Sequence, residues 1–201
     1  MKIIELVISE LNKATIRTDE DVSIILTLDT LVEYGLSEGT ELTDEELTEI
    51  IYYDMTQKAK DLAFKFVSRR LRSQKEIEDY LRNKGYDEIV QENVIKVLER
   101  YDYINDEEYA RAYMNDKMKI NKLGKDRIRY ELRHKGIDEE LINRVILANS
   151  SLEIENAVEI LRKSLPESPS YKEKGKAYRK LAGKGYSPSV IDRAFYIVEY
   201  E

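Results

Sequence analysis

Hydrophobic residues follow two different patterns along the chain, and the change between them lies near residue 55. Over the first thirty residues, runs rich in β-branched residues and leucine predict two or three antiparallel strands, at about 3–8, 14–18 and 22–28. From Met55 onward, apolar residues recur every three or four positions, which predicts helices. The pattern therefore indicates a small β-rich head that is followed by a helical body.

The stretch between the strands and the helical body predicts two further helices. Asp29–Tyr34 is typical of a short helical turn that Gly35 ends, and Thr43-Asp44-Glu45-Glu46 has the form of a capping box at a helix start. A sheet of two or three strands is not stable alone, so we expect a helix to cover one of its faces.

The helical body contains a threefold repeat. The motif L-x-x-K-G ends at Gly85, Gly136 and Gly185, with spacings of 51 and 49 residues, and an aliphatic residue follows five positions after each glycine. Such a glycine is typical of the residue that ends a helix. Each unit of about fifty residues divides into three helices. Because one unit buries little apolar surface, we expect neighbouring units to stack into a curved, elongated array.

Polar residues at the expected helix starts support this division. Ser73 and Ser170 each precede a glutamate by three positions, as in a capping box, and Asp87 and Asn105 are typical N-cap residues. Ser187-Pro188 places a proline at the first helical position, where its missing N–H costs nothing.

We therefore predict a mainly α fold of tandem three-helix repeats with a small N-terminal α+β head. The expected boundaries are 1–54 for the acidic, β-rich head and 55–103, 104–150 and 151–201 for the three repeats. The first helix of the first repeat is expected over 55–71.

Composition excludes several classes of protein. The absence of cysteine excludes disulfides and thiolate chemistry, and the single histidine, His134, is expected at the surface. No apolar run approaches the roughly 18 residues of a membrane span, and the N-terminal segment lacks the cleavage site of a signal peptide. No phosphate-binding loop, nucleophile with a base or cluster of metal ligands is found. We expect a soluble cytoplasmic protein that is not an enzyme and that holds no cofactor or metal.

Charge is distributed unevenly along the chain. Residues 1–54 carry 14 acids against 3 Lys/Arg, a balance of −11, whereas residues 55–201 carry 26 acids against 30 bases, a balance of +4. Basic clusters lie at 65–84, 117–135 and 171–184. Several cations on one face can neutralise phosphates, although a solvated helix face has the same composition.

The segment Lys122–Ile137 is the most distinctive of these clusters. Gly124 opens a helix and Gly136 closes it, and Ile128 and Leu132 form its narrow apolar seam. Basic residues four apart lie beside that seam on one face. From the three clusters we predict contacts with an anionic partner from Arg69, Arg72, Lys122, Lys125, Arg127, Arg129, Arg133, Lys172, Lys176 and Arg179.

The fifteen tyrosines have two interpretations. Tyr86, Tyr109, Tyr113 and Tyr186 lie at helix junctions or on apolar faces, where we expect them to pack with the hydroxyl near solvent. Stacking on nucleic-acid bases is the alternative.

Several fragments in this order resemble the RecX family of bacterial modulators of the RecA recombinase. The likeness covers nearly the whole chain and is carried by R-S-Q-K-E-I at 72–77, L-R-N-K-G at 81–85, I-N-D-E-E-Y-A at 104–110, the segment from Gly124 to Ile137, and G-L-S-E-G-T-E-L-T at 35–43.

The resemblance implies a tandem array of three-helix repeats and a role as a non-enzymatic inhibitor of RecA in DNA repair, recombination and the SOS response. Members of the family bind along the RecA filament on single-stranded DNA and suppress strand exchange. The implied partners are the RecA filament and DNA, single- or double-stranded, and we expect a monomer. Two alternatives stay open: a sequence-indifferent nucleic-acid binder without a protein partner, and a helical adaptor for another protein.

Overall fold

The computed structural model describes residues 1–9, 12–147 and 150–200, and these form two compact units. One unit contains residues 1–70 and 77–103, and the other contains residues 71–76 and the chain from Ile104 onward. Within the described ranges the elements are β1 Ile3–Ser9, β2 Lys13–Thr18, β3 Ser23–Thr27, α1 Leu28–Glu33, α2 Asp44–Val67, α3 Gln74–Asn83, α4 Glu88–Arg100, α5 Asp106–Lys119, α6 Lys125–His134, α7 Glu139–Leu147, α8 Ser150–Ser164, α9 Tyr171–Gly183 and α10 Pro188–Tyr200.

The first unit begins with the predicted antiparallel sheet, in the order β1-β2-β3. Its register pairs Leu6 with Ile16 and Ala14 with Leu26, so that alternate side chains point to one face. That face is covered by α2, whose Leu47 and Ile50 join the core formed by the strands. The sheet therefore has the helical cover that its small size requires.

Helix α2 corrects the prediction of two separate helices in this region. It runs without a break from Asp44 to Val67, across the expected start at residue 55, and it ends four residues before the expected end at residue 71. Its N-terminus has the predicted capping box between Thr43 and Glu46. The helix continues because the chain offers no glycine or proline in this stretch to interrupt it.

A buried carboxylate holds the start of α1 against the middle of α2. Asp54 is 2% exposed, and its Oδ1 accepts hydrogen bonds from the N–H of Thr27 (2.7 Å) and from the hydroxyls of Thr27 (2.9 Å) and Thr30 (2.8 Å). Its Oδ2 lies 2.5 Å from the Nζ of Lys58. Burial opposes ionisation, but the hydrogen bonds from Lys58 and the two threonines lower the pKa of Asp54. The charged carboxylate is thus fully partnered.

The three copies of the L-x-x-K-G motif form the same turn. Gly85, Gly136 and Gly185 have φ values of +90°, +80° and +85°, and the N–H of the residue after each glycine donates to the carbonyl of the leucine that starts the motif. This is the hydrogen bonding of a Schellman motif, and it satisfies carbonyls that a helix end leaves open. The predicted caps at Ser73, Asp87, Asn105 and Ser170 are also formed.

Each of the two complete repeats in the second unit has its own core. In the repeat built from α5, α6 and α7, Met114, Met118, Ile128, Leu132 and Ile142 are almost fully buried. In the repeat built from α8, α9 and α10, the core is formed by Ala157, Leu161, Leu181, Ile191 and Ala194. The mainly α fold with three-helix repeats and a small sheet is confirmed.

The start of α6 docks directly on the turn after α9. The N–H groups of Gly124 and Asp126 donate to the carbonyls of Lys184 (2.9 Å) and Gly185 (3.2 Å). A Cβ placed on Gly124 would lie 2.1 Å from the carbonyl oxygen of Gly185. A similar approach recurs one repeat earlier, where a Cβ on Gly136 would lie 2.7 Å from the Cβ of Lys75. The glycines therefore end helices and also allow the next contact.

We predict that Asp54→Ala destabilises the first unit by about 3 kcal/mol, because it leaves Lys58 and two threonine hydroxyls without their buried acceptor. Hydrogen exchange of the β2 amides measures the change in the free energy of unfolding. Asp61→Ala, at an exposed site on the same helix, is the control and should change it by less than about 0.5 kcal/mol. Equal effects of the two substitutions would contradict the role given to Asp54.

We predict that Gly124→Ala destabilises the second unit by about 2 kcal/mol, because the new methyl group overlaps the backbone of Gly185. Urea unfolding followed by circular dichroism provides the measurement. The control is Gly183→Ala, where a Cβ meets nothing within 4 Å, and helix propensity should raise stability by about 0.5 kcal/mol. A Gly124→Ala variant as stable as the parent chain would show that the backbones separate easily.

Candidate functional site

The cationic helix α6 is positioned by its apolar seam and by its start. Ile128 and Leu132 are fully buried, as their spacing predicts, and Gly124 is fixed against the third repeat. The loop before α6 is fixed to the third repeat, because the Tyr186 hydroxyl donates to the carbonyl of Lys122 (2.9 Å). The basic side chains of this segment therefore start from a well-defined backbone.

Arg129 and Arg133, the two arginines of the predicted basic face, both turn toward α7. Both form ion pairs with Glu139, at 2.6 Å for Arg133, and Arg129 also donates to Oδ1 of Asn143 at 2.8 Å. Hydrogen bonds, that from Arg133 first, lower the pKa of Glu139 below its ordinary value. One carboxylate therefore offsets much of the charge of two arginines.

Lys125 and Lys122 pair with α8. The Nζ of Lys125 lies 3.4 Å from Glu153, whose side chain is almost fully buried and also accepts from the Lys125 backbone N–H (2.9 Å). Lys122 forms an ion pair with Glu159, which Lys163 also contacts at 2.8 Å. These lysines link the loop before α6 to α8.

Arg127 completes the set through an i,i+4 pair with Glu131, at 2.8 Å. Glu131 also accepts a hydrogen bond from the Tyr113 hydroxyl (2.7 Å). Partial burial works to raise the pKa of Glu131, but the bonds from Tyr113 and Arg127 lower it. All five candidates in the second repeat thus have an acidic partner within the fold, so the basic sequence does not become an equally basic surface.

The two candidates from the first cluster belong to different units. Arg69 is exposed just after α2, in the first unit, and Arg72 is half-buried in the segment 71–76, which belongs to the second unit.

The candidates of the third cluster resemble Arg69 and differ from the five cations of the second repeat. Lys172, Lys176 and Arg179 are exposed on α9, and in the described part of the chain none of the three forms an ion pair. A cation that forms no ion pair keeps more of its charge available to a ligand, although the carboxylate of Glu173, three residues earlier, attracts Lys176. Among the ten predicted residues, these three form the largest group of exposed cations without an ion pair in the described part of the chain.

The tyrosines singled out in the sequence pack against the core as expected, but the hydroxyls of Tyr113 and Tyr186 donate to protein acceptors, Glu131 and the carbonyl of Lys122. Tyr109 and Tyr186 are 4% and 3% exposed, and Tyr113 is held by Glu131. His134 is exposed, as predicted, with Nδ1 2.9 Å from the carbonyl oxygen of Tyr130.

Three exposed tyrosines near α9 and α10 were not among the predicted contacts. Tyr171 is 93% exposed at the start of α9, and Tyr196 and Tyr200, 50% and 72% exposed, lie four residues apart on α10. Their ring centroids are 5.1 Å apart. The i,i+4 spacing on a helix with a separate apolar face is the signal in the sequence that indicates such a pair.

The described residues form neither a metal-binding cluster nor a membrane-spanning helix. Within the described ranges, no group of three or more His, Asp or Glu side chains is arranged to hold a metal ion. No helix there is long and apolar enough to cross a membrane.

Comparison with protein families places known domains on all three repeats. Residues 59–98, 105–146 and 152–195 match the models of the first, second and third three-helix domains of RecX. Regulatory protein RecX of Bacillus subtilis is 36% identical over 187 residues, which cover 91% of this chain and 71% of the relative. Regulatory protein RecX of Clostridium botulinum (strain Alaska E43) is 30% identical over 198 residues, with 94% and 92% covered.

Solved structures show the same architecture. The crystal structure of RecX from Lactobacillus salivarius is similar with a TM-score of 0.69 and 28% identity, over 74% of this chain and 99% of that chain. A further crystal structure of regulatory protein RecX has a TM-score of 0.74 over 100% of this chain and 99% of that chain. At 24% identity, this second likeness shows the fold alone.

The Lys122–Glu159 link predicts a defined pH dependence. Hydrogen bonds from Lys122 and then Lys163 lower the pKa of Glu159 from 4.5 to about 2. Because the folded pKa lies below the unfolded one, the stabilisation is fully present above about pH 4.5 and is lost as the pH falls toward about 2. The thermal midpoint of the parent chain should therefore exceed that of Glu159→Gln at neutral pH, and the difference should vanish through this window.

The control for this measurement is Glu155→Gln, at an exposed position on the same helix. Its midpoint should follow that of the parent chain at every pH. A constant difference between the parent chain and Glu159→Gln down to pH 2 would contradict the assignment.

Proposed function

Because the chain belongs to the RecX family of regulatory proteins, we propose that it is a non-enzymatic modulator, chiefly an inhibitor, of the RecA recombinase. It binds along the filament that RecA forms on single-stranded DNA and reduces strand exchange, and so regulates DNA repair and recombination, including the SOS response. We propose that it acts in the cytoplasm as a monomer.

One observation supports this proposal above the others. All three RecX three-helix domains are present in order, between residues 59 and 195. The chain therefore contains each of the three three-helix domains whose family models it matches.

The repetition gives a physical reason for binding a filament. A filament presents the same surface again and again, and a chain of similar units can meet it at several points. After the first contact forms, the remaining contacts are intramolecular, so several weak interactions combine into strong binding.

The exposed cations of α9 are the contacts that we propose first. Lys172, Lys176 and Arg179 can interact with acidic protein surface or with phosphate without first breaking an ion pair within the fold. Arg69, Arg72 and the cations of the second repeat are proposed as further contacts. Those of the second repeat have to exchange an internal acid for the external partner.

We predict that stoichiometric addition of the protein to RecA on single-stranded DNA reduces both strand exchange and the DNA-dependent ATPase. The variant Lys172→Ala/Lys176→Ala/Arg179→Ala should need about tenfold more protein for the same inhibition, if each exposed contact contributes about 0.5 kcal/mol. Lys96→Ala, which removes an exposed lysine of α4 that pairs with Glu92 and lies outside the three basic clusters, is the control and should inhibit like the parent chain.

The same assay separates the alternatives. A nucleic-acid binder without a protein partner predicts salt-sensitive DNA binding but no inhibition when DNA is in excess over the protein. A helical adaptor for another protein predicts neither effect. Undisturbed strand exchange at stoichiometric amounts would overturn the proposal.

A further inference from the structure

A groove lies between α9 and α10 in the third repeat. Its volume is about 730 Å³, within the range of sites that hold small ligands. Tyr178 and Phe195 are half-buried and belong to the edge of the repeat's core, so they form an aromatic floor. Tyr171, Tyr196 and Tyr200, the exposed tyrosines described above, line the same groove. Five aromatic rings thus face one depression in the surface.

Charged groups surround these rings. Lys172 and Arg179 line the groove and have no acidic partner in the described part of the chain. Lys174 also lines it, but its Nζ pairs with Glu199 at 2.8 Å. Asp192 supplies one more carboxylate. The groove therefore offers aromatic faces, two available cations and carboxylate acceptors at the same place.

We propose that this groove binds single-stranded nucleic acid directly. Unpaired bases stack on the rings of Tyr171 and Tyr200, and Lys172 and Arg179 contact the phosphates. Tyr196, whose ring lies 5.1 Å from the guanidinium of Arg193, supports the ring of Tyr200 at 5.1 Å. The combination of stacking surfaces with a cationic backbone path is the general chemistry by which proteins hold single strands without reading their sequence.

The composition of the groove favours this ligand over two others. A duplex keeps its bases stacked inside and cannot offer their faces to tyrosines, so only the two cations would contact it. An acidic peptide would use the cations, but the carboxylates of Asp192 and Glu199 would repel it and the rings would have no matching group. Unpaired bases, by contrast, carry N–H groups on their exposed edges, including the N3–H of thymine, that can donate to those carboxylates.

Gly175 is the residue that keeps the groove open on the α9 side. It lies inside a helix, where glycine is less favourable than alanine, yet a Cβ there would meet only the Nη1 of Arg179, at an ordinary 3.8 Å. Packing within the fold therefore does not demand a glycine. The missing side chain leaves space in the wall beside the guanidinium.

This inference extends the proposed function to a direct contact with nucleic acid, and it does not require RecA. Its test therefore contains no RecA. Direct binding of nucleic acid without inhibition of RecA would support the groove proposal and contradict the regulatory proposal. Inhibition of RecA without direct binding would support the regulatory proposal and contradict the groove proposal.

The experiment uses the full chain and a fluorescein-labelled oligothymidylate of about 16 nucleotides, with anisotropy as the readout. We expect the protein to bind this single strand more tightly than the corresponding duplex. Tyr171→Ala and Tyr200→Ala should each weaken binding about tenfold, whereas Tyr171→Phe and Tyr200→Phe should bind like the parent chain, because stacking needs the ring and not the hydroxyl.

The salt dependence of binding and a substitution that fills the groove provide two further tests. The slope of log affinity against log salt, between about 50 and about 200 mM, should fall by about 0.7 in Arg179→Ala, because one phosphate contact is lost. Gly175→Leu should weaken binding, because the leucine side chain would occupy space at the α9 side of the groove. Its thermal midpoint should be no lower than that of the parent chain, because leucine is more favourable than glycine in a helix. That variant separates loss of binding from loss of folding.

Two control variants lie outside the groove. Lys180→Ala is exposed on α9, and Tyr101→Ala removes an exposed tyrosine in the first unit. Both should bind the oligonucleotide like the parent chain. The proposal is overturned by equal affinity for duplex, by tyrosine variants that bind normally, by the absence of binding, or by displacement of the strand by a polyglutamate peptide at comparable affinity.

Discussion

The contact between the start of α6 and the turn after α9 is the constraint on which the second unit depends. A helix start leaves N–H groups without partners, and a helix end leaves carbonyls without partners. Here Gly124 and Asp126 donate to the carbonyls of Lys184 and Gly185, so the two helix ends satisfy each other. The backbones approach so closely that no side chain fits at Gly124. This contact joins two repeats that individually have small cores.

The same docking decides what becomes of the cations near α6. Once the helix is fixed, α7 and α8 bring Glu139, Glu153 and Glu159 within reach of its basic residues. Each pair uses charge that would otherwise be available to a ligand. On helix α9, Lys174 pairs with Glu199, but Lys172, Lys176 and Arg179 form no ion pair within the described ranges and stay available. The availability of a cation is thus a property of its neighbours and not of the number of bases in a segment.

Most ion pairs and the proposed binding groove therefore lie in different repeats of the second unit. The charged groups of the second repeat mainly connect its helices with each other and with α8. The third repeat has fewer internal ion pairs and exposes both aromatic rings and cations in the groove beside Gly175.

Local chemistry made much of this fold predictable from the sequence. The strands follow from β-branched runs, the helix starts from Ser73, Asn105 and Ser170, and the turns from glycines that alone adopt positive φ without strain. The length of α2 was not predicted. The helix contains no glycine or proline, so no local signal in the sequence separates the part that packs on the sheet from the part that follows it. The partners of Arg129 and Arg133 lie up to fourteen positions away along the chain, and the groove depends on the packing of two helices. Those features were decided by the tertiary structure, since pairing and shape arise only when separate segments meet.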